Sequence, residues 1–369
     1  MSQARAATIE DVAREAGVSR AAVSKVIRNA YGVSPSMRER VSAAIEALDY
    51  RPRVAARAMR GSSFTLGIEM PHIGNPFFTK IMAGATAALL GTDYQLIIAP
   101  ADVDGEEGVR AIGALADRQV DGIVAISPLV SPEWLERLAA RVPVVMLGRH
   151  DQSMAYDTVT GDDVEGTRLV MEHLFELGHR RIVHLTRSEE VTRPGSGNPH
   201  AIRLERYLAH MHDAGLDDDI RVVRTGLDEE AARLDTLALL DTEVPTAIFV
   251  GNDELALGTL RALSEHGLTS TDVSVVGYDD VDIASYPAIS LTSVNQAGEA
   301  MGERAVRLLL ERIQGRTETG RVESRTLSDG STEKWIGSVR PWMRSSSRRT
   351  ARSPIASPAW LTLVSEMAG

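Results

Sequence analysis

Residues 8–27 read Thr8-Ile9-Glu10-Asp11-Val12-Ala13-Arg14-Glu15-Ala16-Gly17-Val18-Ser19-Arg20-Ala21-Ala22-Val23-Ser24-Lys25-Val26-Ile27. Thr8 followed three residues later by Asp11 is a capping box with an acidic variant of the usual Glu, and predicts a helix start. Ile9, Val12, Ala13 and Ala16 then recur at helical spacing. Gly17 suits the positive-φ position just past a helix. Ser19 caps a second helix, in which Ala22, Val23, Val26 and Ile27 form the apolar stripe. Ser34-Pro35, a cap followed by proline at the first helical position, opens a third helix with Met37, Val41, Ala44, Ile45 and Leu48 on one face. Two short helices joined through Ala16-Gly17-Val18 and braced by a third make a helix-turn-helix. Such a unit lays its second helix in the major groove of double-stranded DNA, with residues near that helix's start on the base edges. Arg20, Ala21 and Lys25 are expected on the outward face, where Arg or Lys donates to guanine O6 and N7. Ser19, Ser24 and Asn29 suit phosphate contacts that fix register, and Thr8 joins the DNA-binding set. The plainer alternative for the same residues is a small three-helix bundle that binds protein.

Bulk charge argues the other way. The 369 residues carry 40 Lys and Arg against 51 Asp and Glu, a formal net charge of -11. The distribution reverses that inference. Residues 1–61 hold 11 basic and six acidic side chains, so the remainder is strongly acidic and two unlike units meet near Gly61-Ser62-Ser63. Charge asymmetry of this kind points to nucleic-acid contact by the basic part. Hydrophobic content of 43% and charged content of 25% are ordinary for a globular chain, and the length suggests two to three domains. Absence of Cys excludes a disulfide framework, a thiolate metal site and a cysteine nucleophile. No apolar run reaches the ~18 residues of a membrane span, and the N-terminus lacks a signal peptide's apolar core, so a cytoplasmic, non-membrane protein is expected.

From Phe64 onward apolar runs alternate with amphipathic stretches. Strands are predicted over 65–70, 95–99, 122–126, 144–147, 182–185, 247–250, 274–277 and 290–294. Helices are predicted over 77–90, 106–118, 133–140, 164–177, 202–214, 229–240, 254–266 and 299–313. This alternation means parallel sheets covered by helices, an α/β class. The pattern pauses around 151–163, which suggests a switch between two subdomains. Ligands in such folds sit outside the carboxyl ends of the strands, and two lobes close on them by a hinge.

The opening segment from Thr8 to Ser19, followed by Val23-Ser24-Lys25-Val26-Ile27, resembles the start of lactose/galactose-repressor (LacI-type) regulators. In that family a hinge helix follows, matched here by Tyr50-Arg51-Pro52-Arg53-Val54-Ala55-Ala56-Arg57-Ala58-Met59-Arg60-Gly61. The resemblance implies that Arg53, Ala56, Arg57 and Met59 contact operator DNA. Met59 stands at the family's minor-groove leucine, Arg53 where Asn is usual, and Lys25 where Arg is common; Arg and Lys are not equivalent at a bidentate site. Further matches extend the likeness to about residue 315 as a periplasmic-binding-protein-like sensor. They include Asn75-Pro76-Phe77-Phe78, Leu147-Gly148-Arg149, Leu177-Gly178-His179, Asn252-Asp253-Glu254-Leu255 and Val276-Gly277-Tyr278-Asp279-Asp280. By the same likeness Arg203, Asn252 and Asp279 are effector contacts, Phe77 and Phe78 an apolar platform, and Arg149 a further contact at a position where several members carry Asp. The expected domains are a helix-turn-helix over 1–50, hinge helix and linker over 51–63, and a core over 64–340. The first lobe spans about 64–154 and 294–316, the second about 155–293 and 317–340. After Gly315 the likeness fails; the nearest candidate for the family's last strand is 334–339, and 341–369 has the composition of a disordered tail.

No Gly-x-x-x-x-Gly-Lys-[Ser/Thr], Gly-x-Gly-x-x-Gly after the first strand or His-Glu-x-x-His is present, and Gly195-Ser196-Gly197 has no nucleophile-elbow strand before it. None of the nine His is joined to a carboxylate at metal-ligand spacing. The expectation is a non-enzymatic, cofactor-free repressor, a homodimer on a pseudo-palindromic operator, controlled by a sugar or sugar derivative. The alternatives are a purine- or phosphosugar-responsive regulator, or a sugar-binding or sugar-processing α/β protein without operator function.

Overall fold

A computed structural model describes residues 7–27, 31–50, 62–101, 105–315 and 339–340. The hinge segment 51–61, with Arg53, Ala56, Arg57 and Met59, lies outside the described residues, as do Asn29, most of the strand expected at 334–339, and the tail.

The N-terminal unit has three helices, α1 (Ile9–Glu15), α2 (Arg20–Ile27) and α3 (Pro35–Ala47). Both halves of the capping box form: Asp11 accepts from the Thr8 backbone N–H at 2.9 Å, and the Asp11 N–H donates to Thr8 Oγ1 at 3.4 Å. Gly17 adopts φ +64° at the turn, as a residue without Cβ can at low cost. Val12, Ala13, Ala16, Val23, Val26, Val41 and Ala44 form a small core of their own.

Beyond Ser62 the chain builds two sheets. The first is β2-β1-β3-β4-β5, all parallel: β1 (Thr65–Met70), β2 (Gln95–Pro100), β3 (Gly122–Ile126), β4 (Val144–Leu147) and β5 (Asp157–Val159). Helices α4 (Pro76–Ala88), α5 (Gly105–Asp117) and α6 (Pro132–Ala139) follow β1, β2 and β3. The second sheet is β11-β10-β9-β8-β6-β7. It contains β6 (Ile182–Thr186), β7 (Arg221–Arg224), β8 (Ala247–Val250), β9 (Ser274–Asp279), β10 (Thr292–Asn295) and β11 (Val339–Arg340). Its helices are α7 (Asp163–Glu176), α8 (Pro199–Asp213), α9 (Glu229–Leu240) and α10 (Asp253–Glu265). The last, β11, is antiparallel to β10 and meets the strand expectation only at Val339.

The central strands β1, β3, β4 and β8 are covered on both faces, so their residues alternate between two cores, whereas the edge strands β2 and β7 stay partly open to water. In the first sheet Leu66, Ile68, Val124 and Val145 face α4, while Ile123, Ala125, Val144 and Met146 face the Ile112–Leu115–Leu135 side. A final helix, α11 (Gly298–Ile313), returns from the second sheet to lie against α4. A Cβ at Gly84 would fall 1.7 Å from Glu299 O, and one at Gly302 2.0 Å from Ile81 O, so small residues set this close backbone approach.

The lobe boundaries differ from those expected. β5 pairs with β4, so the first sheet runs to Val159, past the boundary placed near 154. β10 pairs with β9, which puts Val294 and Asn295 in the second lobe. Among the described residues the chain passes between lobes at 160–162 and 296–297, and Ala297 takes the left-handed φ of +53° there.

Candidate functional site

In both sheets the strand order reverses beside the first strand of the lobe. The loops leaving the strand carboxyl ends converge on one cleft, the position expected for a ligand in open α/β sheets. The cleft holds about 970 Å³, counting the space open to solvent at its mouth. The first lobe contributes Glu69, His72, Asn75, Phe77, Phe78 and Ser127; the second contributes Arg187, Asn198, His200, Arg203, Asn252, Glu254 and Asp279. Gln296, at the crossing, lines it too.

Asparagine caps bring several of these groups into place. Asn75, Asn198 and Asn252 each accept from a backbone N–H in the first turn of α4, α8 and α10, and the first two precede a proline at the first helical position. The cap at Asn198 starts α8 three residues ahead of the expected 202, which sets Arg203 inside the helix rather than at its opening. Asn252 spends its Oδ1 on the Leu255 N–H at 2.9 Å, so its amide NH2 is what remains for a ligand.

Arg203 is buried with its cation matched. Its Nε donates to Asp163 Oδ1 at 2.8 Å, a terminal nitrogen donates to Gly251 O at 2.7 Å, and its guanidinium lies 3.6 Å from the Tyr278 ring centroid. Asp163 also meets His150 Nε2 at 2.9 Å. Burial opposes the Asp163 charge, but Arg203 and His150 outweigh it and hold the carboxyl below its ordinary range. Asp279 behaves in the opposite way. Burial first, then the neighbouring Asp253 charge, push its carboxyl well up, while Arg203 and a 2.5 Å hydrogen bond from Gln296 Nε2 act against this. A protonated Asp279 could donate to a ligand as well as accept from it. Glu69 is pushed up to about 8 by burial; its Oε2 accepts from the Ile126 N–H at 2.9 Å and its Oε1 has no partner.

Phe77 and Phe78 both line the cleft, ring centroids 5.9 Å apart, with Phe77 also in the core beneath α11. Arg149 does not reach the cleft. Its guanidinium turns back to Asp151, at 2.7 and 2.6 Å, and to the carbonyls of Pro128 and Val130, so its role is to tie loops together. The sequence expectations also missed His72, Asp163, Arg187, His200, Glu254 and Gln296. The strand-end rule would have singled out Arg187, directly after β6. His72, His150 and Lys80 bridge the lobes, to Glu254 at 2.9 Å, to Asp163, and to Asp280 O and Asp282 at 2.6 and 2.8 Å.

On the N-terminal unit Arg20, Ala21 and Lys25 lie exposed on α2, away from buried Val23 and Val26. Arg20 pairs with Glu10 at 2.9 Å across α1 and α2. Thr8 and Ser19 act as helix caps, Ser19 Oγ accepting from the Ala22 N–H at 3.2 Å. Ser24 is half-buried on the same helix.

Residues 8–53 match the family model described as bacterial regulatory proteins, lacI family, and residues 171–332 match a periplasmic binding protein-like domain. The ribose operon repressor of Escherichia coli (strain K12) is 32% identical over 314 residues, covering 83% of this chain and 93% of that protein. The chain belongs to the LacI family. Another LacI-family relative, the HTH-type transcriptional repressor PurR of Vibrio atlanticus (strain LGP32), is 31% identical over 327 residues, covering 86% of this chain and 95% of its own length. Among solved structures, a lac repressor dimer bound to operator and the anti-inducer ONPF aligns over 86% of this chain and 96% of its own, at 28% identity and a TM-score of 0.69. LacI-family membership accounts for the pairing of a helix-turn-helix with a two-lobed core. Among the described residues no cluster of His, Asp and Glu could hold a metal, and no helix is long and apolar enough to cross a membrane.

Proposed function

We propose that the protein is an operator-binding transcriptional repressor, active as a homodimer in the cytoplasm and not an enzyme, whose DNA affinity is set by a small polyhydroxylated effector held between the lobes. One observation carries this reading. An exposed helix face carrying Arg20, Ala21 and Lys25 sits on the same chain as a cleft whose wall carries Arg203, Asn252, Asp279 and Gln296 from four separate segments. Operator contacts by Thr8, Ser19, Ser24 and Asn29 would fix register, Arg53 would add a phosphate contact, and the hinge with Ala56, Arg57 and Met59 would enter the minor groove. Effector binding would change the angle between lobes, because His72–Glu254 and His150–Asp163 cross the opening and respond to whatever fills it. The coupling to DNA affinity is expected at about 1–3 kcal/mol. The ring pair Phe77–Phe78 favours a second reading, a purine in place of the sugar.

Selection of operators from a random duplex pool, followed by fluorescence anisotropy at several salt concentrations, tests the DNA half. Sequence-selective binding with a steep salt dependence is expected. Asp279→Ala should keep operator affinity and lose the response to effector. Salt-insensitive, non-selective binding by the native chain, or an unaltered response in Asp279→Ala, would refute the respective half.

A further inference from the structure

Arg187 follows the carboxyl end of β6 directly, lines the cleft and is only 8% exposed. No hydrogen bond or ion pair engages its side chain among the described residues, and its Nε is sealed from solvent without a partner. Arg203, which lines the same cleft, shows the contrast, with its charge matched by Asp163. Burying a cation without a counter-charge is costly, and such groups are normally paired.

The carboxyls nearby do not supply the pair. Asp163 belongs to Arg203 and His150. Glu254 bonds across the cleft to His72 and lies beyond ion-pair distance of Arg187, leaving its Oε2 without a partner. Glu69 is pushed up to about 8 by burial and so is largely proton-bearing at neutral pH, while Asp279, also pushed up by burial, is engaged by Gln296 Nε2. Burial also draws the Arg187 guanidinium down to about 10, with Glu254 and Asp228 acting the other way, which leaves it cationic at neutral pH. The same cleft also holds hydrogen-bonding groups with unspent capacity: Glu69 Oε1, the Asn252 amide and His200 Nδ1, the last within electrostatic reach of Arg187.

We infer that the effector is a polyhydroxylated carboxylic acid, a sugar acid of the aldonic or uronic kind, whose carboxylate Arg187 binds through a forked pair of hydrogen bonds. The inference rests on the cleft being the effector site. A guanidinium fork matches a carboxylate in shape and charge. Of the two arginines lining the cleft, Arg187 is the one without an ion pair among the described residues, and one such cation matches a single negative charge. A phosphate ester, with nearly two charges at neutral pH, would leave one uncompensated beside the free Oε2 of Glu254. The hydroxyls of the acid would meet Glu69, Asn252 and Asp279.

Calorimetric titration and thermal shift on the full chain test this with matched probes: glucose, gluconate, glucuronate and glucose 6-phosphate; galactose and galacturonate; and hypoxanthine. At least one sugar acid is expected to bind roughly 10- to 100-fold more tightly than its neutral parent. Arg187→Met should bring that acid down to the parent's level and raise the melting temperature of the unliganded protein, because an uncompensated buried cation is gone. A structural arginine would lower it. Equal or tighter binding of a neutral sugar or hypoxanthine with no change in Arg187→Met overturns the proposal. Preference for glucose 6-phosphate, or failure of every probe to bind, overturns it as well. Operator binding is measured on the same samples. If it persists while the acids fail, the repressor reading stands and the acid effector falls; if the unsubstituted chain shows no selective operator binding, the repressor reading itself fails.

Discussion

Replacement of Arg203 by Ala probes the most heavily committed group in the cleft wall. Arg203 and Asp163 are 3% and 1% exposed, and the guanidinium makes the 2.8 Å bond to Asp163, the 2.7 Å bond to Gly251 O and the stack on Tyr278. Removing one partner of a buried pair costs about 3–5 kcal/mol, because the other charge stays buried and uncompensated. The stack on Tyr278 is worth ~1–2 kcal/mol when desolvated, and it overlaps with that figure rather than adding to it. His150 remains on Asp163 and limits the loss. A destabilisation of about 3–5 kcal/mol at pH 7.5 is therefore expected, read from urea midpoints followed by far-UV circular dichroism. The pH dependence gives a second check. In the native chain the Asp163 carboxyl is held below its ordinary 3.8, so its contribution is complete above that value and is lost as pH falls through the lower, folded-state value. In Arg203→Ala burial governs and the carboxyl rises, so the folded state loses stability as pH climbs from 3.8 through the raised value. The deficit relative to the native chain should thus shrink as pH is lowered. The double variant Asp163→Asn/Arg203→Met should recover at least half of the loss. A deficit under about 1 kcal/mol at pH 7.5, or simple additivity of the two single changes, would refute the pairing argument.

Four further outcomes follow from the same reasoning. Glu69 titrates near 8 when folded against an ordinary 4.5, so it costs stability progressively as pH rises between those values. Glu69→Gln should stabilise the protein by a few kcal/mol at pH 8, at about 1.4 kcal/mol per pH unit as an upper bound, and change little at pH 4.5, as thermal melts at the two pH values would show. Gly84→Ala would place a methyl 1.7 Å from Glu299 O, forcing α4 and α11 apart; a loss of about 1–3 kcal/mol or more is expected in urea unfolding. Arg20→Ala and Lys25→Ala should each weaken operator binding by about 1–3 kcal/mol in anisotropy titrations, with relaxed preference at one base pair. Glu10→Gln should tighten it slightly by releasing Arg20 from an exposed pair worth ~0–1 kcal/mol.

Much of the fold is local and was therefore legible. Thr8-x-x-Asp11, Gly17 and Ser34-Pro35 specify helix ends through contacts within a few residues, and the three helices form where those signals place them. The apolar runs of β1, β3, β4 and β8 are buried on both faces, so their strand character needs no partner to be recognised. The strands that escaped notice were short or on edges. β5 has three residues, and β7 is bounded by Arg221 and Arg224, so neither carries an apolar run. Their existence depends on a neighbour offering a ladder.

The site divides along the same line. Sequence alone determined that a basic helix-turn-helix precedes an acidic two-lobed α/β core, because capping, periodicity and charge are written residue by residue. The family resemblance pointed to Phe77, Phe78, Arg149, Arg203, Asn252 and Asp279 as effector contacts, and all of these but Arg149 line one cleft. Tertiary structure decided the state of each group. It turned Arg149 away to Asp151, matched Arg203 with an aspartate 40 positions earlier in the chain, and left Arg187 buried without a partner among the described residues. Such outcomes depend on desolvation and on distances between charges, which are fixed only when segments remote in sequence pack together.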